Sequence, residues 1–138
     1  MNLNINSKKD RQNIKRLANL FRALGQPARL RILLTIGDGE ACVCHLEAHL
    51  GYRQAYISQQ LMELRKSGIV DARREGRFIF YRVRERELLQ FIREAGRYAG
   101  VSDAQFDLLS RSGIAVQCDC PHCTGEPSNS VITEKQIS

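Results

Sequence analysis

Two groups of thiols carry most of the chemistry available to this chain. Cys42 and Cys44 stand in EACVCHL, Cys118, Cys120 and Cys123 stand in CDCPHC, and no cysteine lies between the clusters. Thiolates are the ligands soft ions prefer, and a helix N-terminus lowers the pKa of a thiol placed there. Cys42 and Cys44 lie just before, or in the first turn of, the short helical stretch VCHLEAHLG. A CxC pair supplies two ligands and cannot readily complete a site. CDCPHC resembles half of a structural zinc site, but no second half follows it in the tail. The expected arrangement is one site built from both clusters, within a subunit or across a dimer. His45 and His122 are additional candidate nitrogen ligands, and His49 lies one turn beyond His45. The alternatives are a buried structural pair at Cys42 and Cys44, a free-standing knuckle in the tail, and an unliganded redox-active tail.

The rest of the chain must position those thiols. Its 138 residues fit one domain with tails, and 21 Lys and Arg against 15 Asp and Glu give a formal charge of +6, which suits an acidic partner such as DNA. The polar start MNLNINSKKDRQN and the lack of a long apolar run support neither a secretory signal nor a membrane span, so no membrane partner and a cytoplasmic location are expected. In that reducing compartment five cysteines, an odd number, point to metal or redox chemistry rather than a disulfide framework. An enzyme is not expected. No acid pair, Ser-His-Asp order or phosphate-cradling loop is present, and GDGEA around Gly37 reads as a helix stop.

Periodicity divides the chain into a flexible tail over residues 1–10, a folded domain over 11–112 and a cysteine-containing tail over 113–138. A helix begins at Asn13 and carries Ile14, Leu17, Leu20, Phe21 and Leu24 to a stop at Gly25. Pro27 opens a second helix with Leu30, Leu33 and Leu34. VCHLEAHLG is a third, closed by Gly51, and QAYISQQLMELRKSG a fourth, with Ile57, Leu61 and Leu64 on one face. IVDARREGRFIFYRV reads as a hairpin with Gly76 at its tip. ERELLQFIREAGRYAG returns to helical spacing through Leu88, Phe91, Ile92, Ala95 and Tyr98. Ser102 and Gln105 can cap a last helical piece with Phe106 and Leu109.

This order is mainly α with a β-hairpin, the layout of a winged helix-turn-helix, and its first helix and its helix after the wing have faces able to pair two subunits. The fourth helix presents Gln54, Tyr56, Ser58, Gln59, Glu63 and Lys66 to solvent. Amides and hydroxyls in its first half can pair with base edges or hold phosphate. Arg73, Arg74 and Arg77 cluster at the hairpin, where they can reach the DNA backbone or minor groove. From Arg53 to Arg86 there are nine Lys or Arg against four Asp or Glu, so most of the net charge sits on these two elements.

LFRALGQPARLRILLTIGDGEACVCHLEAHLG followed by QAYISQQLMELRKSGIVDARREGRFIFYRV resembles the ArsR/SmtB family of winged-helix repressors over roughly residues 14 to 100. The resemblance implies a homodimer that binds double-stranded operator DNA and is released by a metal or metalloid ion. EACVCHL is similar to the family's metal box: Cys42 and Cys44 match its two cysteines, Glu40 its Glu, and His45 replaces its Asp. QAYISQQL resembles the start of the reader, which implies DNA contacts for Gln54, Tyr56, Ser58 and Gln59. Two departures matter. Glu47 stands where arsenic-sensing members of one type have a third cysteine, and the N-terminal segment lacks the thiols used by cadmium- and lead-sensing members. The C-terminal cluster is in a position to take over that supply. The family's second site on the last helix is not supported, because Asp103 has no His at the needed spacing. A thiolate-rich site implies a soft effector, As(III), Cd(II), Pb(II) or Zn(II). A thiol-redox or reactive-sulfur sensor, and a constitutive DNA-binding protein with structural zinc, are the other readings.

Overall fold

The computed structural model describes residues 7–110, in which six helices surround a small antiparallel sheet. The elements are α1 (Lys8–Leu24), α2 (Pro27–Ile36), β1 (Ala41–Cys42), α3 (Val43–Leu50), α4 (Gln54–Lys66), β2 (Val70–Glu75), β3 (Phe78–Val83), α5 (Glu87–Tyr98) and α6 (Asp103–Ser110). CDCPHC and the rest of the C-terminal tail lie outside the described residues.

The first helix begins at Lys8, within the segment read as a tail and earlier than the apolar periodicity announces. Ser7 caps it: its hydroxyl accepts from the Asp10 N–H at 3.1 Å and donates to the Asp10 carboxylate at 2.7 Å. That Ser-x-x-Asp spacing is a helix-start signal that hydrophobic periodicity overlooks. Most of the stripe on α1 does not enter the core. Ile14, Leu17 and Phe21 are exposed, Ile14 by 67%, and only Ala23 and Leu24 are buried.

The core lies between α2, α3, α4 and one face of the sheet. Ile32, Leu33, Leu46, Ile57, Leu61, Leu64 and Val70 are fully buried. Ile57, Leu61 and Leu64 recur at the spacing of one helix face, and each contributes roughly 1.5–3 kcal/mol by leaving water, which clamps α4 with its other side outward. Gly51 ends α3 at φ 73°, a left-handed conformation that glycine adopts without a Cβ penalty, and its N–H closes the helix on the Glu47 carbonyl at 2.9 Å. This sets the tight turn between α3 and α4. At the wing tip, Gly76 at φ 63° opens the two-residue turn that joins the paired Glu75 and Phe78.

The two-residue strand β1 is not legible in the sequence. It gives the sheet the order β1-β3-β2, with Ala41 opposite Tyr81 and Cys42 opposite Phe80. Alternation along β3 sends Tyr81 and Val83 into the main core and Phe78 and Phe80 to the opposite face, where they form a second apolar cluster with Cys42 and Cys44.

Candidate DNA interface and thiol site

The outer side of α4 is built as the sequence predicts. Gln54, Tyr56, Ser58, Gln59 and Lys66 are exposed, while Gln60 is buried. Arg53 is the N-cap and no side chain caps the helix, so the first-turn N–H groups of α4 point outward beside Gln54. Tyr56 stands edge-on to Tyr52 with ring centroids 5.4 Å apart, and the Arg31 guanidinium lies over Tyr52 at 5.8 Å. Lys66 has Glu63 at 3.7 Å, an exposed pair too weak to withhold its charge. Gln60 accepts a 2.8 Å hydrogen bond from Arg29 Nε and so ties α4 to α2.

The three wing arginines are not equivalent. Arg74 and Arg77 are exposed and form no ion pair among the described residues, and the Arg77 guanidinium rests 5.1 Å from the Phe78 ring. Arg73, by contrast, is engaged by two carboxylates. Its Nε and Nη2 donate to the two oxygens of Glu40 at 2.7 Å each, and its Nη1 donates to Glu75 at 2.9 Å. Its guanidinium also lies 4.9 Å from the Phe80 ring. The hydrogen bonds to Glu40, then to Glu75, hold its pKa above the ordinary arginine value. Sequence reasoning groups Arg73 with its neighbours at the hairpin and misses this fork, because Glu40 is 33 positions away.

Cys42 and Cys44 come together at the start of α3. Cys42 is the last residue of β1, the N-cap of α3 and a buried member of the second cluster at once; its Sγ accepts from the His45 N–H at 3.4 Å. The two sulfurs are 2.8 Å apart. His45 and His49 follow on the same helix with ring centroids 4.7 Å apart in an edge-on arrangement. Burial, and for His45 the neighbouring His49, lower both pKa values, which favours the neutral imidazole that can lend a lone pair. Among the described residues no group of three His, Cys, Asp or Glu converges to hold a metal. Cys42 is a free thiol and Cys44 is disulfide-bonded; once reduced, the two would supply two soft sulfur donors, half a site. Cys118, Cys120, Cys123 and His122 lie outside the described residues.

Residues 26–72 match the family described as bacterial regulatory protein, arsR family. An arsenic resistance transcriptional regulator of Pseudomonas putida is 37% identical over 96 residues, covering 69% of this chain and 73% of the relative. The chain belongs to the arsR family. A biofilm growth-associated repressor of Agrobacterium fabrum is 47% identical over 76 residues, 55% of this chain; the match spans 65% of that relative, less than two thirds of its length. Among solved structures, the homodimeric winged helix-turn-helix DNA-binding domain from Mycobacterium bovis is similar with a TM-score of 0.62 at 26% identity, over 68% of this chain and 87% of that one. The fold is the winged helix-turn-helix read from the sequence: α3 and α4 form the helix-turn-helix, and β2 with β3 forms the wing. These relatives are named as a repressor and a transcriptional regulator, not as enzymes. No helix among the described residues is long and apolar enough to cross a membrane.

Proposed function

We propose that this arsR-family protein is a cytoplasmic transcriptional repressor that binds double-stranded operator DNA as a homodimer and is released by a soft thiophilic ion. Gln54, Tyr56, Ser58 and Gln59 read the site, Lys66, Arg74 and Arg77 hold phosphate, and the exposed apolar faces of α1, α5 and α6 pair two subunits. Tyr98 is 95% exposed, and Ile14, Leu17, Phe21, Leu108 and Leu109 are exposed with it, more apolar surface than a lone domain of this size ordinarily leaves in water. The ion is taken by Cys42 and Cys44 with sulfur from Cys118, Cys120 or Cys123, and with nitrogen from His45 or His122 where a fourth ligand is needed. As(III), Cd(II), Pb(II) and Zn(II) are the effectors this donor set suits.

The observation that carries the reading is the convergence of the Cys42 and Cys44 sulfurs at the N-terminus of α3, the helix packed before α4. A chain ended after Arg111 tests it. That chain should remain folded and bind operator, yet respond weakly or not at all to arsenite, cadmium, lead and zinc in an operator titration. Release equal to that of the full chain would refute the shared site, and failure to fold would favour structural zinc in a constitutive DNA-binding protein. The disulfide at Cys44 also favours a second reading, in which a peroxide or reactive sulfur species takes two electrons and two protons from a pair of thiols, leaving as water or sulfide while the sulfurs link. Sulfur-ligand counts by X-ray absorption on the reduced, ion-loaded protein separate the two.

A further inference from the structure

Cys42, Phe80 and Arg73 form one row across the sheet: Cys42 pairs with Phe80 between β1 and β3, and Phe80 pairs with Arg73 between β3 and β2. The row is stiff. Phe80 has no exposed surface and is packed with Cys42, and the Arg73 guanidinium covers its ring. Arg73 then returns across the sheet to Glu40, two residues before Cys42, through two parallel 2.7 Å hydrogen bonds. The result is a closed loop of contacts running from the thiol pair to the base of the wing and back.

We infer that Arg73 is a positioning residue, and that the Glu40–Arg73 fork is the link by which a change at Cys42 and Cys44 reaches the wing. This rests on the reading of that pair as the sensing site. Cys42 is a free thiol and Cys44 is disulfide-bonded, so reducing that bond and drawing both sulfurs onto one ion changes the setting of the segment that carries them. Cys42 is fixed between the strand pairing and the cap of α3, and Glu40 stands on the same short segment. Movement of that segment pulls on a two-pronged bond whose geometry tolerates little displacement, and β2 carries the pull to Arg74 and the wing tip. Two packed arrangements, fork closed and fork displaced, give the ion something to bias.

Full-length reduced protein tests this in three arms. In the first, Arg73→Gln should leave the salt dependence of operator binding unchanged, whereas loss of a phosphate contact would lower the slope by about one. In the second, hydrogen exchange of the segment 73–80 is followed with and without sodium arsenite or cadmium chloride. The wild-type chain should show an ion-induced change in wing protection, and Glu40→Gln should lose that change while still binding the ion, read by sulfur-to-cadmium charge-transfer absorbance. In the third, operator release is measured for Glu40→Gln, Arg73→Gln and the double variant. Each single variant should weaken ion-driven release by about tenfold, within the ordinary range of coupling, and the double should be no worse than either. A reduced slope in Arg73→Gln, or ion-driven release of wild-type size in Glu40→Gln, overturns the inference. Absence of ion binding by the wild-type chain removes the sensing reading and the link together, and the charge-transfer band separates that failure from failure of the fork alone.

Discussion

Removing the Gln60 carboxamide should disturb the reader helix more than any change on its solvent face. Gln60 is only 5% exposed, and its oxygen accepts from Arg29 Nε at 2.8 Å, while Arg29 Nη1 also donates to the Ala23 carbonyl at 3.3 Å. No buried side-chain nitrogen or oxygen among the described residues lacks a partner, so this pair belongs to a fully satisfied interior. A hydrogen bond involving a charged group is worth about 1.5–3 kcal/mol net. Gln60→Ala falls in the lower half of that range, roughly 1.5–2 kcal/mol, because Arg29 is only half-buried and keeps the Ala23 carbonyl. Arg29→Ala should cost about 2–3 kcal/mol, since it leaves a buried amide oxygen unpaired as well as losing the second bond. Combining the two changes, Arg29→Ala with Gln60→Ala, removes donor and acceptor together. The double variant should therefore be more stable than the sum of the two effects implies, by about 1–2 kcal/mol. Urea unfolding at one fixed protein concentration reads these differences. Additivity within about 0.5 kcal/mol, or single effects below about 0.5 kcal/mol, would refute the idea that this bond holds α4 on α2.

Three further outcomes are expected. Gln59→Ala should leave the dimer folded and lower discrimination between operator and scrambled duplex by about 1–3 kcal/mol, the worth of one good base contact; an unchanged specificity ratio counts against the reader assignment. Arg74→Ala with Arg77→Ala should weaken specific and non-specific DNA together and reduce the salt slope by roughly two, and unaltered affinity across a salt series would remove the wing from the interface. Acid should release α6 from α5. Asp103 is held below the ordinary carboxyl value of 3.8 by its hydrogen bond from Arg97, and by Arg93, so its stabilising share is complete above that value and is lost as pH falls through the depressed one. Hydrogen exchange of residues 103–110 from about pH 6 to about pH 2 should show this loosening, and Asp103→Asn should flatten the profile.

The elements that bury one clean face were legible in the sequence, and those made by distant partners were not. Ile57, Leu61 and Leu64 announce α4 because helical spacing and burial coincide there. The same spacing in α1 gives a helix without fixing what its stripe meets: Ile14, Leu17 and Phe21 face outward, and periodicity cannot tell an interior face from a face kept for another chain. Its start was missed because the Ser7 cap is polar. β1 has only two residues and owes its existence to β3, 38 positions further along at the Cys42–Phe80 step in the register. The exposure of the candidate reader residues follows from α4 alone, whereas the contacts of Arg73 depend on Glu40 and Phe80, which no local pattern joins to it.

The wing has one more property. With the order β1-β3-β2, β2 is an outer strand whose free edge could pair with another chain. Four of its six residues, Asp71, Arg73, Arg74 and Glu75, are charged, and mixed charges of this kind oppose edge-to-edge pairing. The residues that give the wing its electrostatic character therefore also guard the molecule against aggregation. Variants stripped of several wing charges to probe DNA binding would lose that guard as well, and their solubility should fall in step with the charges removed.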